Sequence, residues 1–485
     1  MPPVGPLRTF LSLVLLASAV FAGHGCSRGA DGSIAVQLVY PSPSGSAAPA
    51  RTSVRAPSYA TDPGDRIRIR VLAPHFAPIE KWFRRSDGRG EIGGIPPGAR
   101  IAVEVDEYDN TAVPSGDAVI DAPLLGRGWR HGITLSPGEV KTVPVAMYAK
   151  GTIVTICGAP PIDDAGTLGD NTAEGILAAE AYLGYPTAVK AGPDDAIYVS
   201  SSAFRKVKRI DRYGYLSGFA GDGTHGTITP GAPASSSPIG AVADIDIDPS
   251  GNLYLFNDWN QIVRVDNGVV NRLVYDNGTS NSAARFDLAV VNVDLLYFMN
   301  NLEAKIHQVL GLSISDFVTD GQPFDTTEPF ARTNYPLRAP SSITYAPSME
   351  SLVFADTDNN RIMRVSFLDG NIYYLVADAG GTRFVEGIDP LGMAPLRPRV
   401  VDYNPITGKI FFVEIDSNQV LYIDATGKVR LFAGSGLMKF SGDTGPATLA
   451  GLSDPRAITV DSRGNAYIAD YGNHAVRMVV GGALP

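Results

Sequence analysis

The stretch Gly464-Asn465-Ala466-Tyr467-Ile468-Ala469-Asp470, near the C-terminus, decides the fold. A Gly-Asn turn leads into a short apolar run with an aromatic landmark, and a carboxylate closes it, the pattern of a buried strand bounded by turn residues. Towards the N-terminus the same place is held by Phe411, Val353, Tyr297, Tyr254 and Tyr198. In chain order the six landmarks are 56, 43, 56, 58 and 56 residues apart, and repetition on this scale marks a propeller or solenoid. A run precedes the landmark by about ten residues, as at 245–248, 343–345, 400–403 and 458–461. A third follows it at 261–265, 361–365, 419–423 and 475–479, and a fourth comes after a turn at 215–219, 372–376 and 429–432. Four strands per unit make one blade, so six units make a six-bladed β-propeller. The 43-residue interval marks a shortened third repeat. The chain enters this region with 152–156, which aligns with a fourth strand, and leaves after 475–480, a third strand. The first segment is therefore expected to complete the last blade, which removes an open sheet edge.

The last unit also contains Phe432-Ala433-Gly434, Gly442-Asp443, Gly445-Pro446-Ala447, Pro455-Arg456-Ala457-Ile458-Thr459-Val460-Asp461 and Gly472-Asn473-His474-Ala475-Val476-Arg477. Together these closely resemble the NHL repeat, whose name reflects an Asn-His pair. The match is good in the second and fourth units, weaker in the fifth, and poor in the first and third. The resemblance implies an interaction platform, although propellers of this kind also include lyases and lactonases. A lyase of the peptide-amidating type would hold zinc with several histidines near its channel. Here His225, His307 and His474 occupy different places in their blades, and neither His-x-His nor His-Glu-x-x-His occurs.

Ahead of the repeats, Arg8 followed by the apolar run 10–22 reads as a secretory signal over residues 1–25, too short to span a bilayer comfortably. Cys26 follows in a context resembling a lipobox, which makes it the lipidation site, with 26–32 as a tether; ordinary cleavage after Ala22 is the alternative. The strand signals 34–39, 66–72, 91–95, 100–106, 132–135 and 142–148 read as a small antiparallel β-sandwich over 33–149, interrupted by a Ser/Ala/Pro-rich stretch at 43–58. This domain resembles Ig-like or carboxypeptidase-regulatory-like domains, and residues 150–485 form the propeller. The fold class is thus all-β. Cys157, the second of two cysteines, ends a strand and reads as a small buried hydrophobe.

A net charge of −10 leaves no basic field for a phosphate backbone, so nucleic acid is not a partner. The polar residues after the landmarks, Ser201, Asn257, Asn300, Asp356, Glu414 and Asp470, read as strand-end acceptors for turn N–H groups rather than metal ligands. Asp246 and Asp248 share one strand face and read as edging or capping groups. Aligning the units on Pro186, Pro340, Pro398 and Pro455 places Thr187, Ala243, Ser341, Arg399 and Arg456 at one mouth of the channel. Of these, Thr187, Ser341, Arg399 and Arg456 are the candidate ligand-binding residues. The two arginines suit an anionic group, the alternative being that each pairs with an Asp of an adjacent loop. The shortened third repeat points to binding on the opposite side of the disc. No catalytic constellation, metal or cofactor is implied. The expectation is a non-catalytic binding or scaffold protein recognising a protein, peptide or glycan, attached to the bacterial envelope by a lipid. The alternative is a lyase or lactonase with a metal ion on the channel axis.

Overall fold

The computed structural model describes residues 13–14, 31–39, 66–84, 91–109, 123–158, 175–276, 286–311, 313–319, 330–376, 397–424 and 426–484. Cys26, most of the signal segment and the 43–58 stretch lie outside them. Two compact units divide the chain, Met1–Lys150 and Gly151–Pro485.

The first unit is a single sheet in the order Leu13–Val14, Gly32–Val39, Val140–Ala149, Leu124–Leu135, Gly98–Tyr108, Arg66–Ala73 and Phe76–Arg84, with Glu91–Ile95 also paired to Gly32–Val39. Alternating residues from both ends of this path, Ile34 and Val36 on one strand and Ile67 and Ile69 on another, share one core with Val103, Val105 and Val145. One face of the sheet is thus apolar and buried. The sheet is not purely antiparallel, because Gly32–Val39 runs parallel to Val140–Ala149. Pairing between the first and last long strands of a unit leaves no turn signal in the sequence. Strand Phe76–Arg84 was also unexpected; among the described residues it pairs with Arg66–Ala73 alone and buries neither face fully, so its residues do not alternate. On the opposite face from the core, Arg68, Arg70 and Arg127 surround the buried Asp106. Burial alone would raise the Asp106 pKa, but the three guanidinium groups outweigh it and hold the carboxyl well below its usual range.

In the second unit the innermost strands of the six blades are Pro186–Ala191, Val242–Ile247, Phe286–Asn292, Pro340–Ala346, Pro398–Tyr403 and Pro455–Val460. The landmarks all fall in the second strands, Ile197–Ser201, Leu253–Asn257, Leu295–Asn300, Ser351–Asp356, Ile410–Glu414 and Ala466–Asp470. Ile153–Cys157 is the fourth strand of the last blade, antiparallel to Ala475–Val479. Its outer edge is covered in turn, since Ile153 N–H donates to Gly445 O and Thr444 N–H to Ile153 O. The core lies between consecutive blades. Tyr254 and Phe256 pack with Leu288 and Phe298, for example, and Phe411 and Val413 pack with Ile458 and Ile468. Each such large side chain contributes about 1.5–3 kcal/mol, so each blade depends on its neighbours. The third blade has all four strands. What is short is the connection into it, 277–285, against 221–241 into the second.

Candidate functional site

Of the polar residues after the landmarks, Asn257, Asp356, Glu414 and Asp470 behave as strand-end acceptors, whereas Ser201 acts as a donor. Asp356 accepts from Arg338 N–H at 2.8 Å, and its other oxygen accepts from the Tyr335 hydroxyl and the Asn359 amide. Asp470 accepts from Ser453 N–H and from the Asn473 amide, and Glu414 from Ser417 N–H. Asn257 accepts from Trp259 and Gln261 N–H, while Ser201 donates its hydroxyl to Gly184 O. The Asn300 side chain lies outside the described set.

The channel has a second, inner system that proline alignment does not find. In five blades the innermost strand carries a bulge directly after its first residue, so Thr187, Ala243, Ser341, Arg399 and Arg456 are the extra, bulged residues. The third blade pairs through this point without a bulge. Beyond it the landmarks stand opposite Lys190, Asp246, Ala289, Thr344, Asp402 and Thr459, one register-equivalent position per blade. Lys190 Nζ lies 2.9 Å from Asp246 and 3.3 Å from Asp402, which joins the first blade to the second and, across the ring, to the fifth. Burial would lower the Lys190 pKa, yet the two carboxylates raise it, so the ammonium stays charged. Burial pushes Asp402 up to about 6 despite Lys190. Asp244 and Asp287, which line the same cavity, are also raised, first by burial and then by neighbouring carboxylates.

Innermost strands expose one edge to the channel, and side chains of the adjacent blade satisfy it. Leu288 and Val290 N–H donate to Asp244 and Asp246, Ile343 N–H to Asp287, Val401 N–H to Ser342 and Ala191 N–H to Thr459. Thr187 donates to Val242 O and Ser341 to Arg399 O, both at 2.7 Å. At the remaining junction Asp454, in the turn into the last blade, receives Arg399 from the fifth blade and Arg456 from the sixth. Every blade-to-blade junction therefore has a polar tie. Among the sequence-chosen residues, Thr187 and Ser341 serve ties, and the two arginines converge on one Asp. Asp248 is a turn cap, accepting from Ser250 and Asn252 N–H. Replacing Ser342 by Ala strands the buried Val401 N–H, with an expected loss of about 1–3 kcal/mol in denaturant unfolding.

Strand antiparallelism puts the turn between second and third strands at the same end of a blade as the start of the innermost strand. On this mouth face ring contacts run without a break from the first blade to the channel. Phe204 packs edge-on to Tyr182 at 6.1 Å, Tyr182 stacks on His474 at 6.0 Å, and Tyr185 lies 4.1 Å from His474 and 5.0 Å from Tyr471. The Arg456 guanidinium sits 3.2 Å from the Tyr471 ring centroid. All but His474 are half-buried. Burial lowers the His474 pKa, and Nδ1 accepts from Tyr185 N–H at 3.3 Å.

The family model for the NHL repeat matches residues 452–477. Residues 452–477 are an NHL repeat. In it the Asn-His pair is architectural: Asn473 donates to Asp470, and His474, in the left-handed region at φ 55°, underlies the two tyrosines. No curated protein matches the chain by sequence. Among solved structures, a Bacteroides thetaiotaomicron protein of unknown function is similar over 78% of this chain and 93% of its own, with 13% identity and a TM-score of 0.52. An auxiliary nutrient binding protein from Bacteroides ovatus is 15% identical over 85% of this chain and 90% of its own, with a TM-score of 0.49. A gluconolactonase from Xanthomonas campestris is 10% identical over 61% and 86%, at 0.39. The first of these likenesses speaks to the fold alone.

Of the remaining groups, Cys157 is buried and its thiol is pushed up to about 12 by burial, which makes it unreactive. His307 contacts Glu303 and Asp316 and stacks on Phe298. Among the described residues no group of three His, Cys, Asp or Glu is arranged to hold a metal ion, and no helix is long and apolar enough to cross a membrane.

Proposed function

We propose that this chain is a non-catalytic binding protein of the cell envelope, exported through its apolar leader and anchored by a lipid on Cys26, which recognises a ligand on the mouth face of the propeller. The carrying observation is the unbroken run of rings, all half-buried but His474, from the first blade to the Arg456 guanidinium at the channel. Such side chains combine large contact area with few rotatable bonds, which suits recognition. The run lies on blades six and one, and blade six is opposite the third. A lyase or lactonase would use a cation on the axis; here the ammonium of Lys190 stands between Asp246 and Asp402.

The test is a glycan and peptide array probed with the full chain, followed by mass spectrometry of whatever is retained. Saturable binding of chemically unchanged ligand is expected; conversion of the ligand would overturn the reading. The anchor has its own test. Cys26→Ala should abolish metabolic labelling by a fatty acid and move the chain from the membrane to the soluble fraction, and persistent labelling would assign the lipid elsewhere.

A further inference from the structure

The geometry points to a primary ammonium group bound in the channel cavity below the mouth, held by the carboxylates of Asp244 and Asp287 and the hydroxyl of Thr344. This rests on the binding reading above and names its ligand class.

Hairpin register places Asp244, Asp287 and Ser342 at one level of blades two, three and four, and Asp246, Ala289 and Thr344 two residues further in. Asp244, Asp287 and Thr344 line one cavity of about 40 Å³ with Lys190, Asp246 and Asp402. A water needs roughly 10–15 Å³ of such space, so an ammonium and its adjoining methylene fit. At the deeper level Lys190 already stands between Asp246 and Asp402, an alkylammonium held by carboxylates of this wall. Asp244 and Asp287 lack such a partner: among the described residues neither lies in an ion pair, and Lys190 acts on Asp244 only at longer range. Asp244 accepts from Leu288 and Ile245 N–H, and Asp287 from Ile343 N–H and the Ser342 hydroxyl. An ionised carboxylate accepts about four bonds, so both keep accepting capacity. Thr344 supplies an independent sign of a ligand. It is 8% exposed, lines the cavity, and among the described residues its hydroxyl makes no hydrogen bond, an arrangement that is costly until a partner completes it. Two carboxylates and a hydroxyl match the three donors of a primary ammonium. The charge balance agrees, since four carboxylates line the cavity against Lys190 and Arg456, and Arg456 is itself bonded to Asp454. Burial first, and then neighbouring carboxylates, raise Asp244 to about 7 and Asp287 well above the ordinary range, so an entering cation displaces protons. The remainder of the ligand leaves past Arg456, which both lines the cavity and lies against Tyr471.

The test is titration calorimetry of the full chain with pentylamine and with the peptide Gly-Gly-Lys-Gly-Gly. Pentyltrimethylammonium, which keeps the charge but has no N–H and a bulkier head, is the control. Pentylamine should bind, and the trimethyl compound at least tenfold more weakly. Binding of the peptide as well assigns the source to a lysine side chain, and binding of pentylamine alone to a small amine. Affinity should rise from pH 5 to pH 8, because the amine stays charged while Asp244 and Asp287 give up protons, with Asp402 titrating in the same direction beside Lys190 and Asp246. Comparison of phosphate and MOPS buffers at pH 7 should show proton release on binding. Thr344→Val keeps the side-chain shape and should weaken pentylamine about tenfold. Asp287→Asn should weaken it about thirtyfold and reduce the proton release, a readout that misfolding would not produce. Calorimetric melting of each variant verifies that it folds. If the trimethyl compound binds as well as pentylamine, or if both folded variants bind pentylamine like the wild type, the assignment is wrong while the binding reading stands. If neither pentylamine nor the peptide binds but the array retains another ligand, the assignment fails alone. If the array retains nothing either, both fail.

Discussion

Replacing Arg477 with Met should cost the propeller about 3–5 kcal/mol at pH 8. Arg477 is fully buried on the third strand of the last blade, beside the closing strand Ile153–Cys157. Its Nη2 lies 2.7 Å from Asp443 and donates to Ser441 O at 3.2 Å, Nη1 lies 3.3 Å from Asp470, and the guanidinium sits over Phe440. Asp470 is itself fully buried and already pushed up to about 6 by burial, with Arg477 acting to lower it. Without the arginine this carboxylate has no compensating charge. The fold must either bury it unpaired or protonate it, and protonation is unfavourable at pH 8 but not at pH 5. Urea unfolding should therefore show a large loss at pH 8 that shrinks at pH 5, and adding Asp470→Asn should recover much of it. A loss below about 1 kcal/mol at pH 8 would mean that the arginine is dispensable.

The propeller should also gain stability as pH falls from 8 to 5. Asp356, Asp402 and Asp470 are each raised to about 6 by burial, and Asp244 and Asp287 are raised too. A carboxyl whose folded pKa lies above its unfolded value binds its proton more tightly when folded. Its contribution is therefore lost as pH rises through about 6, and gained as pH falls towards the ordinary carboxylate range. Each of the three is worth about 1 kcal/mol between pH 8 and 5, and the channel pair adds to this. Asp106 in the first unit has the opposite sign: its stabilisation is complete above the ordinary carboxylate range and lost only below it. Calorimetry at pH 5 and 8 should show the propeller transition higher at pH 5. A transition unchanged or lower at pH 5 would contradict the buried-carboxylate picture.

The blades were legible because each second strand is buried on both faces and carries one large apolar landmark between turn residues, so Tyr198 through Tyr467 could be counted. The closing strand was legible for the related reason that an unmatched fourth strand and an unmatched third must meet. The axis was not legible. Lys190, Asp246, Ala289, Thr344, Asp402 and Thr459 have no single residue type and no local motif in common; what they share is a position opposite a landmark, which hairpin register assigns. Alignment on the prolines instead led to the bulged residues three positions earlier, of which Thr187, Ser341, Arg399 and Arg456 serve the blade junctions. The polar ties could have been suspected from Asp244 and Asp246 alternating with Ile245 and Ile247, since a carboxylate on an innermost strand has only the channel and the next blade's edge to face. The convergence of Arg399 and Arg456 on Asp454 was among the alternatives the residues allowed.

The distinction between a binding protein and a metal-dependent enzyme turns on what occupies the axis, and elemental analysis of the full chain purified without chelator tests it most directly. With the Lys190 ammonium between Asp246 and Asp402, the expected result is substoichiometric Ca²⁺ and Zn²⁺ after dialysis. One equivalent of either ion retained by the wild-type chain would contradict it.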